Sequence, residues 1–158
     1  MKHPAKLLLC LVLCLALLSG CKKGDTFVCE DLTLQLPEGY LDLQENAGNL
    51  DADFLLGRDK VVIKGIAEDK TPLQEASSMT LQDYGALLLE TNDLDCTLEQ
   101  AGNHYRFTYK AMVDGASYTY TGIVWEGYVH YWAVQVYCPT EVFAGKQQEI
   151  QQILDSVS

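Results

Sequence analysis

The sequence predicts an α+β fold: an antiparallel sheet of about seven strands, with a four-stranded meander at its C-terminal end, packed by two helices. Three observations carry this. The tight-turn dipeptides Gly102-Asn103, Asp114-Gly115 and Glu126-Gly127 cut the second half of the chain into runs of matched length, as hairpin loops would. In the first half apolar residues alternate with polar ones in short runs bounded by turn residues. Two further stretches, one after Thr80 and one after Pro139, place their apolar residues at helical spacing.

Taken in order, Phe27-Val28-Cys29 opens a strand and Glu30-Asp31 breaks it. Leu32, Leu34 and Leu36, alternating with Thr33 and Gln35, then form a half-buried strand that Pro37-Glu38-Gly39 ends. Asp53 to Gly57 reads as a short strand, Arg58-Asp59-Lys60 as a turn, and Val61 to Ala67 as the partner strand, with Val61, Ile63 and Gly65 on one face. Residues 68–79 read as loop. Thr80 is an N-cap with Asp83 at N3, and the helix it starts carries Leu81, Tyr84, Leu87 and Leu88 on one side before ending near Thr91-Asn92.

If each turn dipeptide of the meander is a two-residue loop, the register follows. Cys96, Tyr109, Tyr120 and Ala133 share one row, and Leu98, Phe107, Gly122 and Tyr131 share the next. The glycine within strand 116–125 then lies between two rings, which keeps a sheet from overfilling. That face also carries Tyr105, Tyr118, Val124 and Tyr137; being aromatic throughout, it should be covered. The opposite face mixes His104, Arg106, Thr108 and Lys110 with Ile123, Trp125, Tyr128 and Trp132, as a partly covered face would. After Pro139 a closing helix brings Phe143, Ile150, Ile153, Leu154 and Val157 as an apolar stripe.

The 158 residues carry a formal net charge of -11, and setting aside the two lysines of residues 1–20 takes the remainder to -13. Residues 25–99 hold seventeen of the twenty-two acids against four bases, so the acidic surface belongs to the first half. A phosphate-backbone partner needs clustered Lys and Arg, so nucleic-acid binding is excluded. No repeat or linker divides the chain, and the expected organisation is a signal peptide at 1–20, a leader at 21–26 and one domain at 27–158.

Lys2, His3 and Lys6 precede a twelve-residue apolar run, Leu7 to Leu18, which Ser19-Gly20-Cys21 closes. This is the pattern of a signal peptide. As a helix the run rises only about 18 Å, short of the roughly 30 Å a membrane span needs. Leu18-Ser19-Gly20-Cys21 resembles the bacterial lipobox at every position. That resemblance implies cleavage before Cys21, acylation of its thiol, and a mature chain held by lipid on the extracytoplasmic face of a bacterial cell membrane. Lys22 and Lys23 read as a solvated leader.

Candidate chemistry is sparse. In the expected register His104 and His130 lie two strands apart at about 12 Å, too far to share a metal or to act as a base and its orienter. If Cys21 is lipidated, Cys29, Cys96 and Cys138 remain, an odd number, with Cys96 and Cys138 on opposite faces; small buried thiols are favoured over a disulfide. Asp51 and Asp53, and Asp93 and Asp95, have calcium-loop spacing without the glycine and glutamate such a loop requires. There is no Gly-x-Ser-x-Gly elbow and no phosphate-cradling glycine loop. The expectation is therefore no catalytic residue, no metal ligand and no cofactor. Trp125, Tyr128 and Trp132, on the mixed face, are the candidate partner patch.

A lipobox, a strand pair ending Leu36-Pro37-Glu38-Gly39-Tyr40, a mid-chain helix, an aromatic meander and a final helix ending Ile153-Leu154-Asp155-Ser156-Val157 together resemble small lipoproteins of clostridial-type bacteria with a Mog1/PsbP-like fold. Members of that fold bind partners, a small GTPase for Mog1 and the photosystem II lumenal complex for PsbP. The resemblance implies a non-enzymatic, lipid-anchored binding or assembly module. An envelope enzyme or divalent-metal-binding protein working through the acidic first half is the alternative.

Overall fold

The computed structural model describes residues 24–158 except 47, 49 and 50. The expected signal peptide and Cys21 lie outside the described residues. In chain order the elements are β1 (Asp25–Cys29), β2 (Leu32–Leu36), β3 (Leu41–Asp42), a 3-10 turn (Gln44–Asn46), β4 (Phe54–Arg58), β5 (Val61–Asp69), α1 (Lys70–Ser77), α2 (Leu81–Thr91), β6 (Glu99–Ala101), β7 (His104–Val113), β8 (Ala116–Glu126), β9 (His130–Pro139) and α3 (Thr140–Asp155). Seven strands make one antiparallel sheet in the order β3-β4-β5-β9-β8-β7-β6, whose last four are the expected meander, and β1-β2 form a separate ribbon. Among the described residues no helix is long and apolar enough to cross a membrane.

The α+β fold and its strand pairs are as expected, and so is the start of α2. There the Thr80 hydroxyl accepts from the Asp83 N–H while the Asp83 carboxylate accepts from the Thr80 N–H, a reciprocal capping box. Its buried face, however, is Tyr84, Gly85 and Leu89, and Leu87 points out. Residues 70–77, expected as loop, form α1. Asp69 caps it by accepting from the Thr71 N–H at 2.9 Å, and Pro72 falls in the first turn, where its missing donor costs nothing.

The first two hairpins of the meander have the expected register, with Glu99 opposite Arg106 and Val113 opposite Ala116. The third differs. Its pairing ends at Glu126 opposite Tyr131, and the Gly127 N–H donates to the His130 carbonyl at 2.8 Å across a longer turn, so Tyr120 stands opposite Tyr137 and Gly122 opposite Gln135. The displacement is four residues, an even number, and every side chain keeps its expected face. Cys96 and Leu98 precede β6 and lie outside the rows of the sheet. Gly122 still receives the Phe107 ring, which occupies the place its Cβ would take.

Coverage of the two faces is the reverse of the expectation. The mixed face is closed over most of its width: α3 and the β1-β2 ribbon bury Ile123, Trp125, Trp132, Val134, Val136 and Cys138 beneath Ile150, Ile153 and Leu154, while Thr108 and Lys110 of β7 stay exposed. Leu32, Leu34 and Leu36 of β2 all point into this layer, and each such burial contributes about 1.5–3 kcal/mol. The last residue completes the layer, because Ser158 exchanges both backbone hydrogen bonds with Thr33. The aromatic face is covered only over one half, where α1 and α2 pack Tyr84 and Leu89 on Phe107, Val124 and Tyr131.

Candidate functional site

Beyond the end of α2 the aromatic face lies open, and what lines it there is a row of tyrosines. Tyr109, Tyr120 and Tyr137 are direct cross-strand partners on β7, β8 and β9, so their rings are held at strand spacing. Tyr109 stacks on Tyr120 with centroids 4.8 Å apart and planes 4° from parallel, and Tyr120 on Tyr137 at 4.7 Å and 24°. Tyr118 meets Tyr137 edge-on at 6.4 Å. Each such pair contributes about 0.5–1.5 kcal/mol beyond its burial, so the row is a rigid floor.

The cleft over this floor has two compartments. One, about 380 Å³, lies between the floor and the C-terminal end of α2, with Leu88, Asn92 and Leu94 on one side and Lys64 and Ile66 of β5 on another. The second, about 740 Å³, continues past Tyr118 to Val62, Val113 and Lys60. Burial pushes the Tyr109 phenol up to about 12, helped by its neighbours Tyr120 and Cys96, while a hydrogen bond from Gln135 pulls the other way. Burial and adjacent tyrosines likewise raise Tyr120 and Tyr137. The phenols are therefore protonated at neutral pH. They offer hydroxyls and flat ring faces rather than a base or nucleophile, and among the described residues the Tyr120 and Tyr137 hydroxyls have no hydrogen-bond partner.

The expected patch of Trp125, Tyr128 and Trp132 does not form. Trp125 and Trp132 are cross-strand partners buried at 8% and 0% exposure, because α3 and the ribbon close that face. Tyr128 stands alone in the β8-β9 loop at 89% exposure. Alternation placed the tryptophans on the correct face; what covers that face is set by docking of distant elements.

A second cluster had no sequence signal at all. Asp31, in the turn of the ribbon, accepts from the N–H groups of Val129 (2.6 Å) and His130 (3.3 Å), from the Trp132 indole (2.7 Å) and from the His130 ring (3.0 Å). Glu30 faces the other ring nitrogen of His130 at 3.2 Å. Burial alone would raise the Asp31 pKa, but its four donors hold it well below the usual carboxylate range. With its acceptor sites occupied, Asp31 fastens the ribbon to the β8-β9 loop and is not free for chemistry. The ring of His104 is buried opposite Trp125 with Nε2 unpartnered, and burial, aided by Arg106, lowers its pKa. The two histidines are two strands apart, as expected, with the Trp125-Trp132 pair between them.

Cys29, Cys96 and Cys138 are free thiols whose pKa values burial raises, which disfavours the thiolate a nucleophile needs. Among the described residues no group of three or more His, Cys, Asp or Glu is arranged to hold a metal ion. Asp53 instead accepts from the Ala67 N–H at 2.7 Å.

No family model matches the chain, and no curated protein matches it in sequence. In three dimensions it is similar to cyanobacterial PsbP (CyanoP) from Synechocystis sp. PCC 6803, with a TM-score of 0.63 and 10% identity over 89% of this chain and 94% of that one. It is also similar to a protein from Bacteroides thetaiotaomicron VPI-5482, with a TM-score of 0.51 and 12% identity over 83% of this chain and 47% of that one. At such identities the likeness concerns architecture alone: the chain has a PsbP-like α+β fold.

Proposed function

We propose that the chain is a non-enzymatic binding module, held by a lipid on Cys21 at the extracytoplasmic face of a bacterial membrane, and that it takes a protein partner in the tyrosine cleft. The observation that carries this reading is the stacked, uncharged floor of Tyr109, Tyr120 and Tyr137, left open on a sheet whose other face is buried by α3 and the ribbon across β4, β5, β9 and most of β8. Tyrosine suits such a role because its ring supplies contact area at little entropic cost and its hydroxyl tolerates water until a partner arrives. The lipobox supports the anchor, and the protonated phenols of the cleft, which offer ring faces and hydroxyls, support binding.

Two measurements test it. Metabolic labelling with a palmitate analogue should be lost in Cys21→Ala, and unchanged labelling would refute the anchor. Co-purification from detergent-solubilised membranes should recover a partner with the wild type and lose it about tenfold in Tyr120→Ser/Tyr137→Ser, the scale of losing an aromatic anchor of an interface. Repeated recovery of nothing, or equal recovery by a folded double variant, rejects the cleft as the binding site.

A further inference from the structure

The two ends of the sheet differ in chemistry. At one end lie the β8-β9 loop, the ribbon turn and the start of α1, since Asp69 stands opposite His130 and Glu126 opposite Tyr131. Glu30, Asp31, Glu68, Asp69 and Glu126 collect there, with Lys70 paired to Glu126 at 3.1 Å. At the other end lie the Arg58–Lys60 turn, Pro139 and the tip of the β7-β8 hairpin, since Arg58 pairs with Val61, Val62 with Tyr137, and Tyr118 with Pro139.

The β7-β8 hairpin continues past Pro139, the end of β9, so its tip projects beyond the sheet. Met112 and Val113 on that tip are 68% and 43% exposed. Lys110 lies two residues back on β7, and Lys60 in the adjoining turn is ion-paired with Glu141 at 3.1 Å. Gly24 belongs to this same end: its neighbour Asp25 pairs with Leu36, and it shares a cleft with Pro37, Glu38 and Arg58, whose guanidinium donates to the Glu38 carbonyl at 2.8 Å.

Given the lipid anchor on Cys21, on which this inference rests, the tether decides which end meets the bilayer. Lys22 and Lys23 alone separate Cys21 from Gly24, and three residue steps reach at most about 11 Å. The five residues of β1 separate Gly24 from Glu30 by about 17 Å, so the acidic turn lies beyond the tether's reach. We infer that the end carrying Met112, Val113 and Lys110 is a membrane-contact surface resting on phospholipid headgroups. The apolar tip meets the boundary of the acyl chains, Lys110 meets the phosphates, and the end with Tyr128 points away. Asp114 at the turn of the tip, with Glu38, Asp59 and Glu141 at the same end, opposes deeper insertion and confines the contact to headgroup depth.

The test uses the full lipidated chain reconstituted in vesicles of phosphatidylethanolamine and phosphatidylglycerol, part of the lipid brominated near the carbonyl end of its acyl chains. Met112→Trp adds a fluorophore at the tip and Tyr128→Trp adds one at the opposite end, over a background from the buried Trp125 and Trp132. The added emission should fall by about half in Met112→Trp and hardly at all in Tyr128→Trp, as contact at the acyl boundary requires. Val113→Trp repeats the reading at a second tip position should Met112→Trp fold poorly. Vesicle flotation reads the tether separately. Protein that floats with an unquenched tip, or with Tyr128→Trp quenched equally, overturns the surface while leaving the anchor intact; protein that does not float overturns both.

Discussion

The two faces of one sheet are finished in different ways. Under α3 and the ribbon the side chains are mainly Ile, Val, Leu and Trp, and the centre of the layer is sealed, with Ile63, Ile123, Trp132, Val134 and Val136 at 0% exposure. On the opposite face α1 and α2 cover one half, and where they stop the sheet continues as tyrosine. Aliphatic rows left uncovered would expose a large apolar patch, whereas tyrosines keep the rings packed on one another and turn hydroxyls to water. The sealed face therefore carries the stability, and the half-open face can give up its hydroxyls to a partner without unfolding.

The sharpest way to break that contrast is Trp132→Ala. Removing a fully buried indole from the sealed layer should cost about 3–5 kcal/mol in denaturant unfolding. A loss below about 1 kcal/mol, the level of an ordinary surface change, would mean that the sealed face does not carry the fold.

Asp31→Asn comes next, at about 2–3 kcal/mol near neutral pH, because the amide sets its own N–H groups against the donors Asp31 now satisfies. The folded pKa of Asp31 lies below its unfolded value of about 3.9, so its contribution is present above that pH and fades as pH falls through the lower folded value. Unfolding midpoints at pH 7, 5 and 3 should show a constant gap between wild type and variant at the first two and a narrowing gap at the third. A gap independent of pH would contradict an ionised clamp.

Gly122→Ala places a methyl group where the buried Phe107 ring lies and should cost about 1–3 kcal/mol, less if α2 shifts with the ring. The smallest effect belongs to Tyr120→Phe. Its hydroxyl has no partner among the described residues, so thermal unfolding should stay within about 0.5 kcal/mol of the wild type. A loss above about 1 kcal/mol would place that hydroxyl in a structural network and argue against an open cleft.

Much of the architecture was written in local pattern. Alternation in Leu32-Leu34-Leu36 and in Val61-Ile63-Gly65 specified strands and their inward faces, and Thr80 with Asp83 specified a helix start, because each is a statement about neighbours along the chain. The length of the third hairpin loop was not legible, since Glu126-Gly127 fits a two-residue turn as readily as the start of a longer one. Residues 68–79 read as loop, whereas Pro72 stands in the first turn of α1, where a proline is at home in a helix. The candidate site shows the same division. Tyr109, Tyr118, Tyr120 and Tyr137 were readable as one face, but whether α2 would reach over them depends on the length and docking of an element far away in sequence. The Asp31 clamp joins residues 98 to 101 positions apart, and no local periodicity records such a partnership.

The pairing of Ser158 with Thr33 has a consequence for the order of events. The ribbon and the helix that buries it are far apart along the chain, as at Gln35, whose N–H donates to Ser156 Oγ 121 positions away. Contacts of such separation pay a large loop-closure cost before they return any burial, so the layer over Leu32, Leu34 and Leu36 closes after the hairpins of the meander have formed.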